Sequence, residues 1–144
     1  PHAIIVKSSY GQYAKYSAWV TNIIAANAPL YEKASIDEFY IDATGMDRFF
    51  GTYQFAQELR ERIIRESGLP ISFGLSTNKT VAKVATGEAK PNNHRHVPPG
   101  VERPFMAPLS VRKIPMVGEK TYQTLRVLGV QRISLLLQGQ THLL

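Results

Sequence analysis

The sequence contains no cysteine, no long apolar run and few acidic residues in its second half. With no cysteine among 144 residues, disulfides and thiolate metal sites are excluded, which fits a reducing compartment such as the cytoplasm. No run of about 18 apolar residues occurs, so we expect no membrane span. The chain opens on Pro1-His2-Ala3, without a basic segment ahead of an apolar stretch, so we expect no signal peptide. Because it does not begin with Met, we expect a piece of a longer protein.

The scarcity of acidic residues is confined to one half of the chain. Residues 1–76 carry seven Lys and Arg against eight Asp and Glu, a net charge of −1. Residues 77–144 carry ten against three, a net charge of +7. A near-neutral half joined to a basic half predicts a polyanionic partner for the second half. An ordinary basic surface is the alternative that charge alone leaves open.

The first half alternates between segments typical of strands and of helices. The apolar run 3–6 predicts a buried strand, and residues 32–42 predict a β-hairpin. Between them, apolar residues recur every three or four positions, which predicts a helix with one buried stripe. The stripe consists of Tyr13, Tyr16, Trp19, Val20, Ile23 and Ile24. A second amphipathic helix over 53–66 and a strand over 71–76 complete this half.

The order strand, helix, strand, strand, helix, strand predicts an α+β fold. Two split β-α-β units in this order are typical of the ferredoxin-like arrangement, with one antiparallel sheet and two helices on one face. The hydrophobic fraction of 44% suffices for the core of one domain with a small appendage.

The predicted hairpin carries adjacent carboxylates, Asp37 and Glu38, between Ile36 and Phe39. Unpaired charge is costly to bury, so this pair should face water, a basic partner or a metal ion. Mg²⁺ prefers oxygen ligands and is often held by one or two carboxylates plus substrate phosphates. A polar hairpin turn without any further role is the alternative.

The basic half begins with a predicted helix and ends with a predicted turn between two others. Asn78 can cap a helix from Lys79 to about Ala89, and the proline-rich stretch 93–107 predicts a linker loop. Near the end, short helices flank Ile114-Pro115-Met116-Val117-Gly118, which is similar to a helix-hairpin-helix, and Val130 to Leu137 predicts a further short helix. Glycine there would let backbone amides and the next helix N-terminus approach a phosphate. A plain two-helix packing motif is the alternative.

Three segments now stand in one order along the chain. The first is Ser35-Ile36-Asp37-Glu38, with Asp42 four residues on. The second runs from Phe73-Gly74-Leu75-Ser76-Thr77-Asn78-Lys79 to Lys90-Pro91-Asn92, and the third is Ile114-Pro115-Met116-Val117-Gly118. Together they resemble the palm and thumb of Y-family translesion DNA polymerases, and most of all the bacterial DNA polymerase IV branch. The resemblance covers nearly the whole chain.

The resemblance implies a role for five residues. Asp37 would bridge two Mg²⁺ ions and Glu38 would bind the catalytic ion, in template-directed nucleotidyl transfer to a primer 3′-hydroxyl. Lys90 would contact the triphosphate of the incoming dNTP. Gly118 and Lys120 would grip the backbone of the primer–template DNA. A sliding clamp would bind through a C-terminal part that this chain does not carry.

The resemblance also implies that parts of the enzyme are missing. The family's first palm strand, with another metal-binding aspartate, and its fingers would precede Pro1, so we expect this fragment alone to be inactive. In the thumb turn, Met116 stands where the family has a glycine. We therefore predict weak, salt-sensitive, sequence-independent binding to duplex DNA.

The resulting assignment is a partial, ferredoxin-like palm over 1–92 that lacks its first strand, a linker loop over 93–107, and an all-α helix-hairpin-helix thumb over 108–144. An incomplete sheet exposes an edge, which makes self-association a hypothesis. Two other classes stay open: a two-metal palm nucleotide cyclase, and a non-catalytic DNA-binding module whose acids are structural. The basic segment and the hairpin argue against a cyclase, and metal binding that depends on Asp37 would argue against the module.

Overall fold

The computed structural model describes residues 2–48 and 51–139, which contain six α-helices and four short strands. The chain divides between Leu69 and Pro70 into two compact units. The first unit comprises α1 (Tyr10–Asn27), β1 (Leu30–Lys33), β2 (Phe39–Asp42), a 3₁₀ turn (Met46–Arg48) and α2 (Thr52–Ser67). The second comprises β3 (Phe73–Leu75), α3 (Lys79–Ala89), β4 (His94–His96), α4 (Glu102–Met106), a 3₁₀ turn (Val111–Lys113), α5 (Glu119–Val127) and α6 (Ile133–Gly139). Among the described helices, none combines the length and the apolar character needed to cross a bilayer.

In the first unit, α1 packs against α2 and against β1. The apolar side chains that both helices bury recur at spacings of three and four, as expected for one face of a helix. They are Val20, Ile23 and Ile24 of α1 and Leu59 and Ile63 of α2. Helix α2 ends at Gly68, whose φ of 74° is left-handed and whose amide donates to the Ile64 carbonyl. The predicted helix over 53–66 is therefore confirmed to within one residue at each end.

The aromatic residues of α1 are not buried, so this part of the predicted buried stripe is wrong. Tyr13, Tyr16 and Trp19 keep 64%, 39% and 43% of their surface exposed. The rings of Tyr16 and Trp19 stack on each other with centroids 6.2 Å apart. Tyr13 precedes Val20 by seven residues and lies only about 20° from it around the helix, because one turn takes 3.6 residues. Tyr13 is therefore exposed because no described element covers it, and not because it points to another side of the helix.

The apolar run Ala3–Val6, predicted to be a buried strand, forms no strand in the described structure. Ile4, Ile5 and Val6 are 90%, 94% and 81% exposed. A strand depends on a partner for its ladder hydrogen bonds, and none of the four described strands pairs with this run.

In the second unit, β3 and β4 pair in parallel, with α3 as the crossover between them. Gly74 of β3 lies directly beneath α3: a Cβ at this position would sit 2.6 Å from the Thr86 nitrogen and 2.8 Å from the Ala85 Cβ. In place of the predicted single antiparallel sheet, the described residues form two two-stranded sheets, antiparallel β1–β2 and parallel β3–β4. A parallel pair needs a long crossover, which α3 provides.

The stretch 93–107 is not a loop, which corrects the expectation of a linker. It contains β4 and α4, and Val97, Phe105 and Met106 pack on the buried Val81 and Ala85 of α3. The three-residue polar strand β4 has little sequence signal of its own, since its pairing with β3 decides its conformation.

Two predictions for the helices of this unit can be compared with the structure. Helix α3 spans Lys79–Ala89 as predicted, and the Asn78 side chain caps it by accepting from the Val81 amide at 2.9 Å. The last helix, predicted from Val130, begins instead at Ile133. The Val111 amide donates to the Gln131 carbonyl and the Ile133 amide to the Leu109 carbonyl, which holds residues 131–133 against the segment before α5. Residues 140–144 of the predicted thumb lie outside the described residues.

Candidate functional site

The predicted hairpin is present, and Asp37 and Glu38 lie at its closed end. Its strands pair from Leu30 opposite Asp42 to Lys33 opposite Phe39. The Glu38 carbonyl accepts from the Ala34 and Ser35 amides at 2.9 and 3.3 Å, which closes the loop over Ser35-Ile36-Asp37. A short closed loop holds consecutive side chains in fixed directions.

The loop is also anchored to α1. The Ser17 hydroxyl donates to the Ile36 carbonyl at 2.5 Å, and Ser17 is buried. The Ser35 hydroxyl donates to the Asp37 carboxylate at 2.9 Å. Asp37 is exposed and Glu38 is half-buried. The tip therefore presents an accessible carboxylate, oriented by a neighbouring hydroxyl, beside a second one.

These two carboxylates fit a hard cation only in part. Both donate oxygen, the ligand that Mg²⁺ prefers, and Asp37 is open to solvent. Among the residues that the structure describes, however, no group of three or more His, Asp or Glu side chains could hold a metal ion. A two-carboxylate set suits an ion whose remaining ligands are water and substrate phosphates.

Asp42 belongs to the opposite end of the hairpin. It lies four residues beyond Glu38 along β2, about 13 Å for an extended strand. Its carboxylate accepts from the Thr44 hydroxyl at 2.6 Å and from the Thr44 amide at 3.0 Å, and these two bonds lower the pKa of Asp42. The Asp42 carboxylate therefore accepts hydrogen bonds in the turn after β2 and does not lie beside Asp37.

Lys90, the predicted triphosphate contact, immediately follows α3. Its backbone leaves the helical conformation, and its side chain is exposed. Helix α3 packs on β3 and β4, and this packing fixes the position of the Lys90 backbone at the end of the helix. Lys90 belongs to the second unit, as do Gly118 and Lys120, whereas Asp37 and Glu38 belong to the first.

Gly118 and Lys120 lie at the start of α5, after a turn that follows a 3₁₀ turn and not the first short helix of the prediction. The Val117 amide donates to the Ile114 carbonyl at 3.1 Å, which closes the turn. Gly118 is the N-cap of α5 and has no side chain to bond the first amides of that helix. Its φ of −85° is open to any residue, and nothing lies within 4 Å of a Cβ built on it. Both Gly118 and Lys120 are exposed.

Sequence reasoning missed the cations on the other side of this turn. Arg112 lies 3.2 Å from the Glu119 carboxylate and 3.8 Å from the centre of the Tyr122 ring. Lys113 pairs with Glu88 of α3 at 3.1 Å. The adjacent basic pair just before Ile114 is the sequence signal that could have pointed to them.

Comparison with known proteins identifies the family. The profile of the impB/mucB/samB family matches residues 1–87, more than half of the chain. The chain belongs to this family. The predicted resemblance to Y-family polymerases is thereby confirmed.

Two curated relatives of this chain are named DNA polymerase IV. That of Dehalococcoides mccartyi is 37% identical over 134 residues, which are 92% of this chain and 34% of the relative. That of Halorhodospira halophila is 37% identical over 141 residues, which are 97% of this chain and 40% of the relative. The chain thus spans between a third and two fifths of the length of these relatives.

Solved structures of the same family share its fold. The crystal structure of DinB from Sulfolobus solfataricus matches with a TM-score of 0.85 at 28% identity, over 96% of this chain and 41% of that one. An insertion ternary complex of Dbh DNA polymerase matches with a TM-score of 0.82 at 28% identity, over 92% of this chain and 39% of that one. Neither comparison favours the nucleotide cyclase or the DNA-binding module without catalysis.

Proposed function

We propose that the chain is the palm and thumb portion of a translesion DNA polymerase, which adds nucleotides to a primer 3′-hydroxyl as a template directs. Its membership of the impB/mucB/samB family supports this, as do relatives named DNA polymerase IV that align with over nine tenths of the chain. The activity is that of the longer parent protein. Primer–template DNA and dNTP are its proposed substrates, and the similarity to an insertion ternary complex of Dbh DNA polymerase supports them.

The observation that carries the proposal is the position of Asp37 and Glu38 at the tip of an anchored hairpin. Two Mg²⁺ ions, when bound, would lower the pKa of the primer hydroxyl and neutralise charge on the triphosphate. Asp37 would offer its exposed carboxylate to both ions and Glu38 would bind the catalytic one. Ser35 donates to Asp37 and Ser17 fixes the Ile36 carbonyl, so both would keep the carboxylates oriented.

Lys90 would hold the triphosphate as a point charge. An ammonium group near the β- and γ-phosphates stabilises the negative charge that moves to the leaving pyrophosphate. Lys90 lies just beyond α3, which packs on two strands. This packing fixes the backbone from which the flexible lysine side chain extends, and so supports the proposed role.

The thumb would grip duplex backbone at the start of α5. The first amides of a helix have no acceptor within it, and here the N-cap residue supplies none from a side chain. A phosphate oxygen could accept from these amides, with Lys120 alongside as a cation. Contacts of this kind position DNA without reading its sequence. This assignment keeps 1–92 as partial palm and 108–144 as thumb.

The 144-residue chain alone should not extend a primer. Two carboxylates are fewer than two cations need, and the described residues bring no third acidic or histidine ligand to them. Extension by this chain with Mg²⁺ and dNTP would refute the expectation.

The proposal is tested by primer extension with the full-length parent on an undamaged template. We expect the parent to extend the primer, and Asp37→Asn and Glu38→Gln variants to lose extension while they still bind primer–template. Asp47→Asn is the matched control, because it removes an exposed aspartate from the same unit without touching the hairpin tip. If the two hairpin variants extend as fast as the parent, the carboxylates are turn residues and the metal assignment is wrong.

A further inference from the structure

The last turn of α3 contains an acidic residue where a helix favours basic ones. The carbonyl end of a helix carries partial negative charge, so cations near it are stabilising and carboxylates are not. Residues 86–89 form this end of α3 and include Glu88 but no Lys, Arg or His. The stability of the helix therefore does not explain Glu88, and its contacts outside α3 become the relevant ones.

The Glu88 carboxylate pairs with Lys113, which belongs to the 3₁₀ turn Val111–Lys113. The Lys113 ammonium lies 3.1 Å from Oε1 of Glu88, and 30% of the Glu88 side chain and 52% of the Lys113 side chain stay exposed. Ion pairs this open to water contribute little to folding. The main consequence of the pair is therefore local, since it gives the Glu88 carboxylate a counter-ion.

The backbone of Lys113 is held in place by its neighbours. Val111 in the same 3₁₀ turn is fully buried, and its amide donates to the Gln131 carbonyl at 3.0 Å. The Lys113 amide donates to the Ser110 carbonyl at 3.0 Å. These contacts fix the point from which the Lys113 side chain extends, as the packing of α3 on β3 and β4 fixes the backbone of Glu88. The ammonium is thus kept within reach of the carboxylate.

Glu88 also lies close to Lys90, the residue proposed to hold the triphosphate. The Cα atoms of residues two apart in sequence are separated by at most about 7 Å, which the side chains of a glutamate and a lysine can span together. A carboxylate without its counter-ion at this position would attract the Lys90 ammonium and repel a triphosphate. Pairing with Lys113 weakens both effects.

We propose that Lys113 keeps Lys90 available to the incoming nucleotide by holding the Glu88 carboxylate as its counter-ion. The inference rests on the proposed role of Lys90 and adds a positioning residue to it, because Lys113 acts through Glu88 and not on the nucleotide. Loss of Lys113 should therefore weaken the binding of dNTP and leave the chemical step unchanged. Removal of the Glu88 charge as well should cancel that loss.

The experiment measures KM for dNTP and kcat of primer extension by the full-length parent. Lys113→Gln should raise KM about two- to fivefold at an unchanged kcat, which is the size of effect that one exposed ion pair supports. Lys113→Arg keeps the positive charge and should behave like the parent, as should Glu88→Gln and the double variant Glu88→Gln/Lys113→Gln. Arg103→Gln removes a charge from an exposed position of α4 and is the matched control, which should change nothing.

The salt concentration gives a second readout, which a purely structural role of Lys113 would not affect. Salt screens exposed charges from one another, so the difference in KM between Lys113→Gln and the parent should shrink as salt is added. Both proteins should melt at nearly the same temperature, since the pair is open to water.

Two results would overturn the inference alone. A KM for Lys113→Gln equal to that of the parent would show that Glu88 does not compete for Lys90. A raised KM that persists in the double variant would show that Lys113 acts on the nucleotide or the DNA directly.

Failure of the proposed function gives a different result. If Lys90→Ala leaves KM for dNTP unchanged, Lys90 does not hold the triphosphate, and the inference falls with that role. If the parent extends no primer at all, the proposed polymerase function fails together with the inference.

Discussion

Two helices of the second unit begin with different N-cap residues, and the difference bears on what each helix start can bind. Asn78 closes the start of α3 by accepting from the Val81 amide. At the start of α5, Gly118 has an ordinary φ and free space around it, so neither backbone conformation nor crowding calls for glycine. A capping side chain would have fitted there, and its absence leaves the first amides of α5 open to an acceptor from outside.

Replacing Gly118 by serine should therefore raise the stability of the fold and weaken binding to DNA. The hydroxyl would accept from an amide in the first turn of α5, which stabilises the fold by a few tenths of a kcal/mol, roughly the difference between serine and glycine as N-caps. The same bond would compete with a phosphate, so duplex affinity should fall in a fluorescence titration. Gly118→Ala, which has no acceptor, serves as the control. Unchanged affinity of the serine variant would show that these amides do not meet DNA.

A second prediction at the residue scale concerns Glu102. The Thr77 hydroxyl donates to its carboxylate at 2.7 Å, which lowers the pKa of Glu102, and the Gly100 amide donates at 2.7 Å with a smaller effect in the same direction. Because the folded pKa lies below the unfolded one, Glu102 favours folding above the unfolded pKa. This contribution disappears as the pH falls through the folded pKa.

Thr77→Val should move the pKa of Glu102 upwards, towards that of an ordinary glutamate. The variant should also lose part of its stability at neutral pH, and the difference from the original chain should vanish in acid, where Glu102 is protonated in both. Carboxyl chemical shifts over a pH titration measure the first effect, and urea unfolding at two pH values measures the second. A pKa for Glu102 that is the same in both proteins would contradict the assignment of Thr77 as the main cause.

At the scale of elements, the contact of α3 with β3 depends on a strand position without a side chain. A Cβ at Gly74 would lie within 3 Å of Thr86 and Ala85, and those are a backbone atom and a packed methyl group. Helix α3 could not keep its distance from the sheet if this position were larger. Helix α3 also fixes the backbone position of Lys90, so the contact between α3 and β3 affects the proposed triphosphate site.

The two glycines of this β-α pair give a matched test. Gly74→Ala should lower the free energy of unfolding by about 2–3 kcal/mol through overpacking. Gly87→Ala, at an exposed position of α3 with nothing within 4 Å, should raise it by about 0.5–1 kcal/mol because alanine favours the helix. Chemical denaturation measures both. Equal small effects of the two substitutions would mean that α3 shifts freely over the strand.

At the scale of the whole molecule, charge and structure divide at the same place. Residues 70–76 carry no charge, so the division between Leu69 and Pro70 separates a unit of net charge −1 from a unit of net charge +7. The candidate metal ligands lie in the first unit and the candidate DNA contacts in the second. This partition is consistent with the proposed function, in which the first unit holds cations and the second a polyanion.

Binding of the chain to duplex DNA should accordingly be weak, independent of sequence and strongly dependent on salt. Lys120→Ala should weaken it uniformly across sequences and reduce the slope of log K against log salt by about 1. Anisotropy titrations with two unrelated duplexes provide the measurement, and Glu61→Gln in the other unit is a control that leaves the basic unit untouched. Affinity that is the same at low and at high salt would speak against phosphate contacts.

Self-association remains a separate prediction at this scale. Strand β1 pairs with β2, and all four of its residues are exposed. An exposed edge can pair with a second copy of the chain. Sedimentation should then show a mass that rises with concentration, and Leu30→Lys, which adds charge to the edge, should reduce the rise. A monomer mass at every concentration would end the hypothesis.

The sequence by itself determined the local features of this protein. The helix over 79–89 and its Asn78 cap followed from propensity and capping, and the hairpin with Asp37 and Glu38 at its tip followed from apolar residues around two charges. These features depend on neighbours within a few residues, which the sequence displays directly. The order of the three motifs also identified the family, which the comparisons confirm.

Only the tertiary structure decided which surfaces are buried and which strands pair. The aromatic residues of α1 have the right spacing for a core, yet they stay partly or largely exposed, whereas Val20, Ile23 and Ile24 are buried. The run Ala3–Val6 is apolar enough for a strand but pairs with none of the described strands, whereas the polar His94–His96 becomes one because β3 and α3 lie beside it. The positive φ of Met116 likewise follows from the turn that closes between Ile114 and Val117. Burial and strand pairing depend on partners that are distant in the sequence, so local pattern cannot specify them.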